Sequence, residues 1–193
     1  MHLYSCIRLT ELQKKDMASS SYEPLPRYLH SAAQVQENTY LWGGLTQEIS
    51  DSSRTDVINI FDSHTEIWEE RSTTGVPPPG QYYGSSALVC GDLYYFGARD
   101  GRTFYNSVHK LQLSTLEWKE IVKSNPARGP LPKVGCGMVA YQQQLALIGG
   151  FSSLPSGPLQ SGANFIRSQS NPRCGYTNEF HLLSIEEGMQ ISL

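Results

Sequence analysis

A chain of 193 residues has room for one ordinary domain and excludes two large ones. Aromatic residues at 10%, with 11 Tyr, 17 Gly and 11 Pro, favour a turn-rich β protein over a helical one. The net charge of −3 gives no reason to expect general nucleic-acid or membrane binding, and no apolar run has the length of a bilayer span.

The cysteines Cys6, Cys90, Cys136 and Cys174 form no C-x-x-C pair, so their spacing suggests neither a zinc site nor a redox motif. Cys90 and Cys136 fall in or beside apolar segments and are expected to be buried thiols. The first residues lack a continuous apolar signal region and the chain has no N-x-[ST] sequon. The simplest expectation is a soluble protein of the cell interior.

Residues 1–22 match nothing that follows. They read as an N-terminal extension, flexible or a short helix, with Leu3, Ile7, Leu9 and Leu12 spaced for one helix face or a short strand. A first repeat, 23–72, then enters through Pro24-Leu25-Pro26. Its predicted strands are Ser31 to Val35 (a), Thr39 to Trp42 (b), Asp56 to Asp62 (c) and Glu66 to Glu70 (d), with a turn at Glu37-Asn38 and a polar loop from Leu45 to Thr55. A second repeat, 73–124, has the same parts: Ser85 to Val89, Leu93 to Phe96, Ser107 to Leu113 and Leu116 to Ile121. The third, 125–193, runs from Gly137 to Tyr141 and Leu145 to Ile148 into a long loop, 151–176, rich in Ser, Gly, Pro and Asn. Strand c is then expected at Asn178 to Ser184 and strand d near Gly188 to Ile191.

Each strand b ends on a glycine turn: Gly43-Gly44, Gly97-Ala98 and Gly149-Gly150. The first glycines are 97 − 43 = 54 and 149 − 97 = 52 residues apart, and Trp68 and Trp118 are 118 − 68 = 50 apart. A period near 50 without a helical pattern marks a repeat of short strands. Four strands per unit, repeated radially, describe the blades of a β-propeller. The glycines are assigned to turns of positive φ, and the tryptophans to wedges between blades. Ala98 in the place of a second glycine suggests a less strained turn.

With these glycine turns, the apolar residue before each and the tryptophan after strand c, residues 24–193 resemble a kelch repeat protein. The fold expected is all-β, a partial propeller of about three four-stranded kelch-type blades. Blades beyond these three are expected from a longer parent chain or another copy. The resemblance implies a non-catalytic protein-interaction module whose b–c and d–a loops line one end. That end is expected to carry Arg54, Arg99, Arg102, Arg128, Lys133, Arg167 and Arg173, with Tyr28, Tyr82, Tyr83, Phe104 and Tyr105 as aromatic anchors. Such a basic mouth suits an acidic or phosphorylated peptide. Other kelch-like propellers are copper oxidases of the galactose-oxidase kind, or actin-binding structural proteins. Here His30, His64, His109 and His181 are scattered without metal-ligand spacing, so no cofactor or metal is expected.

Overall fold

Two-residue turns and glycine corners set where each strand stops, and the computed structural model shows the resulting sheets. It describes residues 22–47, 56–80, 82–101, 103–127 and 129–185, and among these there is no helix. The extension 1–21 and the strand expected near Gly188 to Ile191 lie outside the described residues.

The first sheet orders Ser31–Val35, Asn38–Trp42, Val57–Asp62 and Ile67–Ser72 side by side, all antiparallel. The second orders Ser85–Val89, Asp92–Phe96, Val108–Gln112 and Glu117–Val122 in the same way. Its outer edge also receives Thr74–Gly75, in parallel, from the linker that follows the first blade. The third holds Gly137–Tyr141, Gln144–Ile148 and Phe180–Ser184. The chain is thus all-β, in small antiparallel sheets of the kelch-blade kind.

The first a–b turn begins at Gln36, one residue earlier than the sequence suggests, and Gln36, Cys90 and Gln142 hold this corner in the three blades with φ of 55°, 51° and 53°. Left-handed residues at this corner match the twist of the flanking strands. Cys90 is therefore an exposed turn residue, against the expectation that it is buried, whereas Cys136 is buried. The c–d turns of the first and second blades end on another left-handed residue, Glu66 (φ 58°) and Leu116 (φ 55°). In the first, Asp62 Oδ1 accepts hydrogen bonds from the backbone of His64 and Thr65, closing the corner.

Sheet stacks on sheet through alternate side chains of the b and c strands. Leu93, Tyr95, Leu111 and Trp118 of the second blade meet Trp42, Ile58 and Ile60 of the first. On the opposite face Tyr94, Phe96 and Val108 meet Leu145, Leu147 and Leu183 of the third. Trp42 lies 4.9 Å from Tyr95 and 5.2 Å from Trp118, ring centre to ring centre. Trp118 is the wedge the sequence predicts. Trp68 is not equivalent in practice: it packs on Phe61 (5.0 Å), half-buried, on the face of the first blade turned away from the second. The tryptophan side of a blade faces backwards along the chain, and only Trp118 has a described blade behind it.

Ala98 does not relax its turn. Its φ of 75° matches the 74° of Gly97 and the 67° and 89° of Gly43 and Gly44. A left-handed alanine costs about 1–2 kcal/mol, and burying its methyl offsets about 0.8 kcal/mol of that. Gly80 makes the room: a Cβ there would stand 2.8 Å from the Ala98 methyl.

Gly97 is the tightest of these corners. A Cβ on it would collide with the backbone oxygen of Lys133, while Gly91, at φ 85°, has open space around it. Gly97→Ala should lower unfolding stability by about 3 kcal/mol, and Gly91→Ala by about 1 kcal/mol. Urea denaturation of the two variants measures the difference.

Candidate functional site

The linker entering each blade pairs with the segment just after that blade's glycine turn. Arg27–Tyr28 pairs with Leu45–Thr46, Tyr82 bridges to Arg99, and Lys133–Val134 pairs with Phe151–Ser153. The d–a linkers and b–c loops therefore meet at one end of the stack.

At this end the chain kinks at the same place in every blade, at Leu29, Tyr83 and Gly135, with φ of 62°, 62° and 59°. The kinks are joined across blades: Tyr83 N donates to Leu29 O (3.1 Å) and Gly135 N to Tyr83 O (2.9 Å). Leu29 and Tyr83 carry side chains at the kink, whereas Gly135 carries none, and a Cβ there would meet nothing within 4 Å. The space left open is part of a groove of about 430 Å³ between the second and third blades. Tyr83, Arg99, Val134, Gly135, Gly150, Phe151, Tyr176 and Thr177 line it.

The stretch 151–176, read as loop from its composition, supplies one wall. It contains three strands, Phe151–Ser153, Phe165–Arg167 and Cys174–Thr177, which extend the Lys133–Val134 ladder into a four-stranded rim sheet. Cross-strand pairing puts Val134, Phe151, Tyr176 and Ile166 in one row. The row runs from buried Val134 to Tyr176 and Ile166, 58% and 69% exposed. Phe151 lies 5.1 Å from Tyr176 and 6.1 Å from Phe104.

Arg99 forms the opposite wall. Its guanidinium donates to Gly101 O and lies 5.7 Å from the Tyr82 ring centre and 5.1 Å from that of Phe104. It has no carboxylate partner among the described residues. Its neighbour Asp100 instead accepts from Tyr105 OH (2.9 Å). Two aromatic faces and one carbonyl thus hold an uncompensated cation beside the groove.

Of the residues expected at this end, Arg99, Tyr82, Tyr83 and Phe104 come together. Tyr28 is exposed on the first blade, away from the groove. Arg167 and Arg173 are exposed on the rim sheet and its turn and do not line the groove. Arg54, Arg102 and Arg128 lie outside the described residues.

Lys133 is a correction: it is fully buried, its Nζ 3.1 Å from Glu179 Oε2. It stands opposite Ser152 in the rim sheet, one residue out of phase with the groove-lining Val134, and turns inward. The pair ties the incoming linker to the segment before strand c, and Glu179 also accepts from Leu131 N (3.2 Å).

Phe151 and Tyr176 are not recognised from the sequence. Phe151 directly follows Gly149-Gly150, as Leu45 and Arg99 follow their turns, and repeat alignment alone places it. Tyr176 had a weaker signal, the β-branched Thr177 next to it and Cys174 two residues before, in a stretch dominated by turn formers.

The described residues contain no group of three His, Cys, Asp or Glu arranged to hold a metal ion. His109 is buried with its Nδ1 unpaired, and burial lowers its pKa to about 4, so it is neutral.

Stacked sheets, left-handed corners and an indole wedge define a kelch-type repeat protein. The KLHDC2/KLHL20/DRC7 Kelch-repeats domain matches residues 2–157, and the chain belongs to this family. It is similar to Kelch domain-containing protein 3 of Bos taurus, 32% identical over 137 residues that cover 66% of this chain and 35% of that protein. Against the Homo sapiens form the identity is 35% over 109 residues, 54% of this chain and 28% of that protein. Host cell factor 1 of Homo sapiens is 25% identical over 183 residues, 91% of this chain and 8% of that protein. The chain thus spans about a third of the length of the first of these relatives.

Two groups with lowered pKa values, His109 and Glu179, make stability depend on pH. Burial alone would raise the Glu179 pKa, but the nearby His181 ring (Nε2 3.8 Å from Oε1), the hydrogen bond and charge of Lys133 and the Leu131 N–H outweigh it and hold it at about 2. For both Glu179 and His109 the unfolded chain binds the proton more readily than the folded one. Stability is therefore full at neutral pH. It falls from pH 6.5 towards about 4 as His109 resists protonation, and from 4.5 towards about 2 through Glu179. His109→Gln should flatten the upper window and Glu179→Gln the lower. Glu179→Gln should also cost about 3 kcal/mol at pH 7, because Lys133 stays buried without its partner. Urea midpoints measured against pH read out each change.

Proposed function

We propose that this chain is a non-catalytic protein-interaction module, as kelch repeat domains commonly are, working without a cofactor, and that it takes its partner in the groove between its second and third blades. The partner segment is acidic or phosphorylated: its anionic group meets Arg99, and its apolar residues lie on Tyr83, Phe151 and Tyr176. The observation that carries this reading is the Arg99 guanidinium, which has no carboxylate partner among the described residues and is preset between two aromatic rings at the side of an open apolar row. An arginine already fixed by its neighbours gives strong charge-assisted bonds to carboxylate or phosphate at little entropic cost. Arg167 and Arg173, further out on the same rim, add long-range attraction for such a segment.

The test is a randomised peptide array carrying acidic and phosphorylated sequences, probed with the folded chain. Arg99→Glu, alone or with Arg102→Glu, should leave the circular dichroism unchanged and weaken the selected peptides at least tenfold. Gly135→Tyr fills the groove with the residue that Tyr83 already carries at the same φ, and should block the same peptides although Arg99 remains. Peptides bound equally by wild type and both variants would remove the groove from consideration.

A further inference from the structure

The turn that joins Phe165–Arg167 to Cys174–Thr177 presents a serine between two arginines. Phe151–Ser153 leaves the third blade and Cys174–Thr177 returns to it, so this turn, 168–173, stands at the end of the rim sheet furthest from the blade. Its base is fixed: Ser168 N donates to Cys174 O (2.8 Å), Cys174 N to Asn171 O (3.0 Å) and Leu154 N to Arg173 O (3.0 Å). At its tip, no hydrogen bond within the described residues reaches the backbone of Gln169 or Ser170, and both residues are exposed. The Ser170 hydroxyl shares one hydrogen bond, with that of Ser168 (3.0 Å).

Arg167 and Arg173 flank the tip, one on each limb, exposed and without a carboxylate partner among the described residues. They are the only charged residues from Val134 to Asn178. Arginine-directed serine kinases recognise a basic residue three positions before the acceptor and take the segment in extended form. Of the described serines and threonines, only Ser170 and Thr74 follow an arginine or lysine at that spacing. Thr74 is tied into the edge of the second blade, its N–H donating to Leu116 O (3.0 Å). Ser170 has no ladder to leave.

We infer that Ser170 is a phosphorylation site for an arginine-directed serine kinase that reads Arg167, and that its phosphate cancels the rim's attraction for anionic segments. The second half rests on the groove reading above; the first does not. In the transfer, the Ser170 hydroxyl oxygen bonds to the γ-phosphorus of ATP and the bond from that phosphorus to the β–γ bridging oxygen breaks. ADP leaves, and the hydroxyl proton passes to the catalytic carboxylate of the kinase. At neutral pH the ester carries about −1.5 to −2 of charge, enough to offset the two guanidiniums on the limbs of the turn. Its oxygens also accept charge-assisted hydrogen bonds from arginine, which competes with any external anion. An acidic segment then approaches a neutral rim and associates more slowly, while Arg99 on the opposite wall keeps its aromatic neighbours.

The folded chain is incubated with ATP and a calmodulin-dependent serine kinase, an arginine-directed enzyme, and its phosphopeptides are read by mass spectrometry. Phosphate should appear on Ser170 and not on Thr74. Arg167→Ala, an exposed substitution that leaves the circular dichroism unchanged, should slow the transfer about tenfold or more, and Arg173→Ala much less. The phosphorylated chain should bind the anionic peptides selected by the unmodified chain about three- to tenfold more weakly at low salt, and the difference should shrink near about 0.5 M salt. Ser170→Ala, taken through the same treatment, should bind as the unmodified chain does. Ser170 left unmodified, transfer indifferent to Arg167→Ala, or a phosphorylated chain that binds as tightly as before overturns the inference. A chain that selects no anionic peptide removes the groove reading and the regulatory half with it, and the mass spectrum alone then decides the acceptor.

Discussion

Trp42, Tyr95 and Trp118 meet where the first sheet lies on the second, and this contact of sheet face with sheet face is what the remaining structure depends on. A middle blade must be apolar on both sides, so its strand b cannot alternate apolar with polar. Asp92–Phe96 meets the demand with Leu93 and Tyr95 facing back, and Tyr94 and Phe96 facing forward. Large aromatic side chains suit this use because each spans much of the gap between sheets about 10 Å apart. The hydrogen bonds from kink to kink, Tyr83 to Leu29 and Gly135 to Tyr83, follow the same stacking and lock the loop ends of successive blades in step.

The Lys133–Glu179 pair shows a different constraint. A buried ion pair is weak evidence of net stability, because removing both charges from water offsets most of their attraction. Its value here is positional. Glu179 takes the Lys133 ammonium and the Leu131 N–H, so the linker into the third blade has one place to lie. That placement puts Lys133 O against Gly97 and Val134 into the groove wall. A neutral pair of similar shape would pack as well but would specify the linker's path less sharply.

Much of the blade architecture is legible in the chain. Strands a, b and c are announced by β-branched and aromatic runs between glycine corners, and their observed limits differ from the expected ones by no more than two residues. What the period does not carry is direction. Trp68 and Trp118 share a phase, yet only a stacked structure shows that this phase points backwards. Lys133 misleads for a related reason: in a short linker strand a shift of one residue exchanges inside for outside. The rim sheet of 151–177 is hidden because its strands are short and its composition is that of turns. Its order comes from pairing with the Lys133–Val134 linker, a non-local cause that propensity does not register.

The groove itself arises from an imperfection in the repeat. All three blades share a left-handed kink, and Leu29 and Tyr83 show that the conformation is held even when the residue has a side chain. Glycine at 135 is therefore not required by backbone conformation alone, since the same φ is tolerated elsewhere. Its consequence is steric: it leaves unfilled the space that a third side chain would take, directly between Tyr83 and the Phe151–Tyr176 row. Blade stacking restricts the core positions to residues that fit a neighbouring sheet, while the rim positions vary freely from repeat to repeat. A repeat protein of this kind can acquire a site by omitting one side chain at the rim, without altering the sheets that position it.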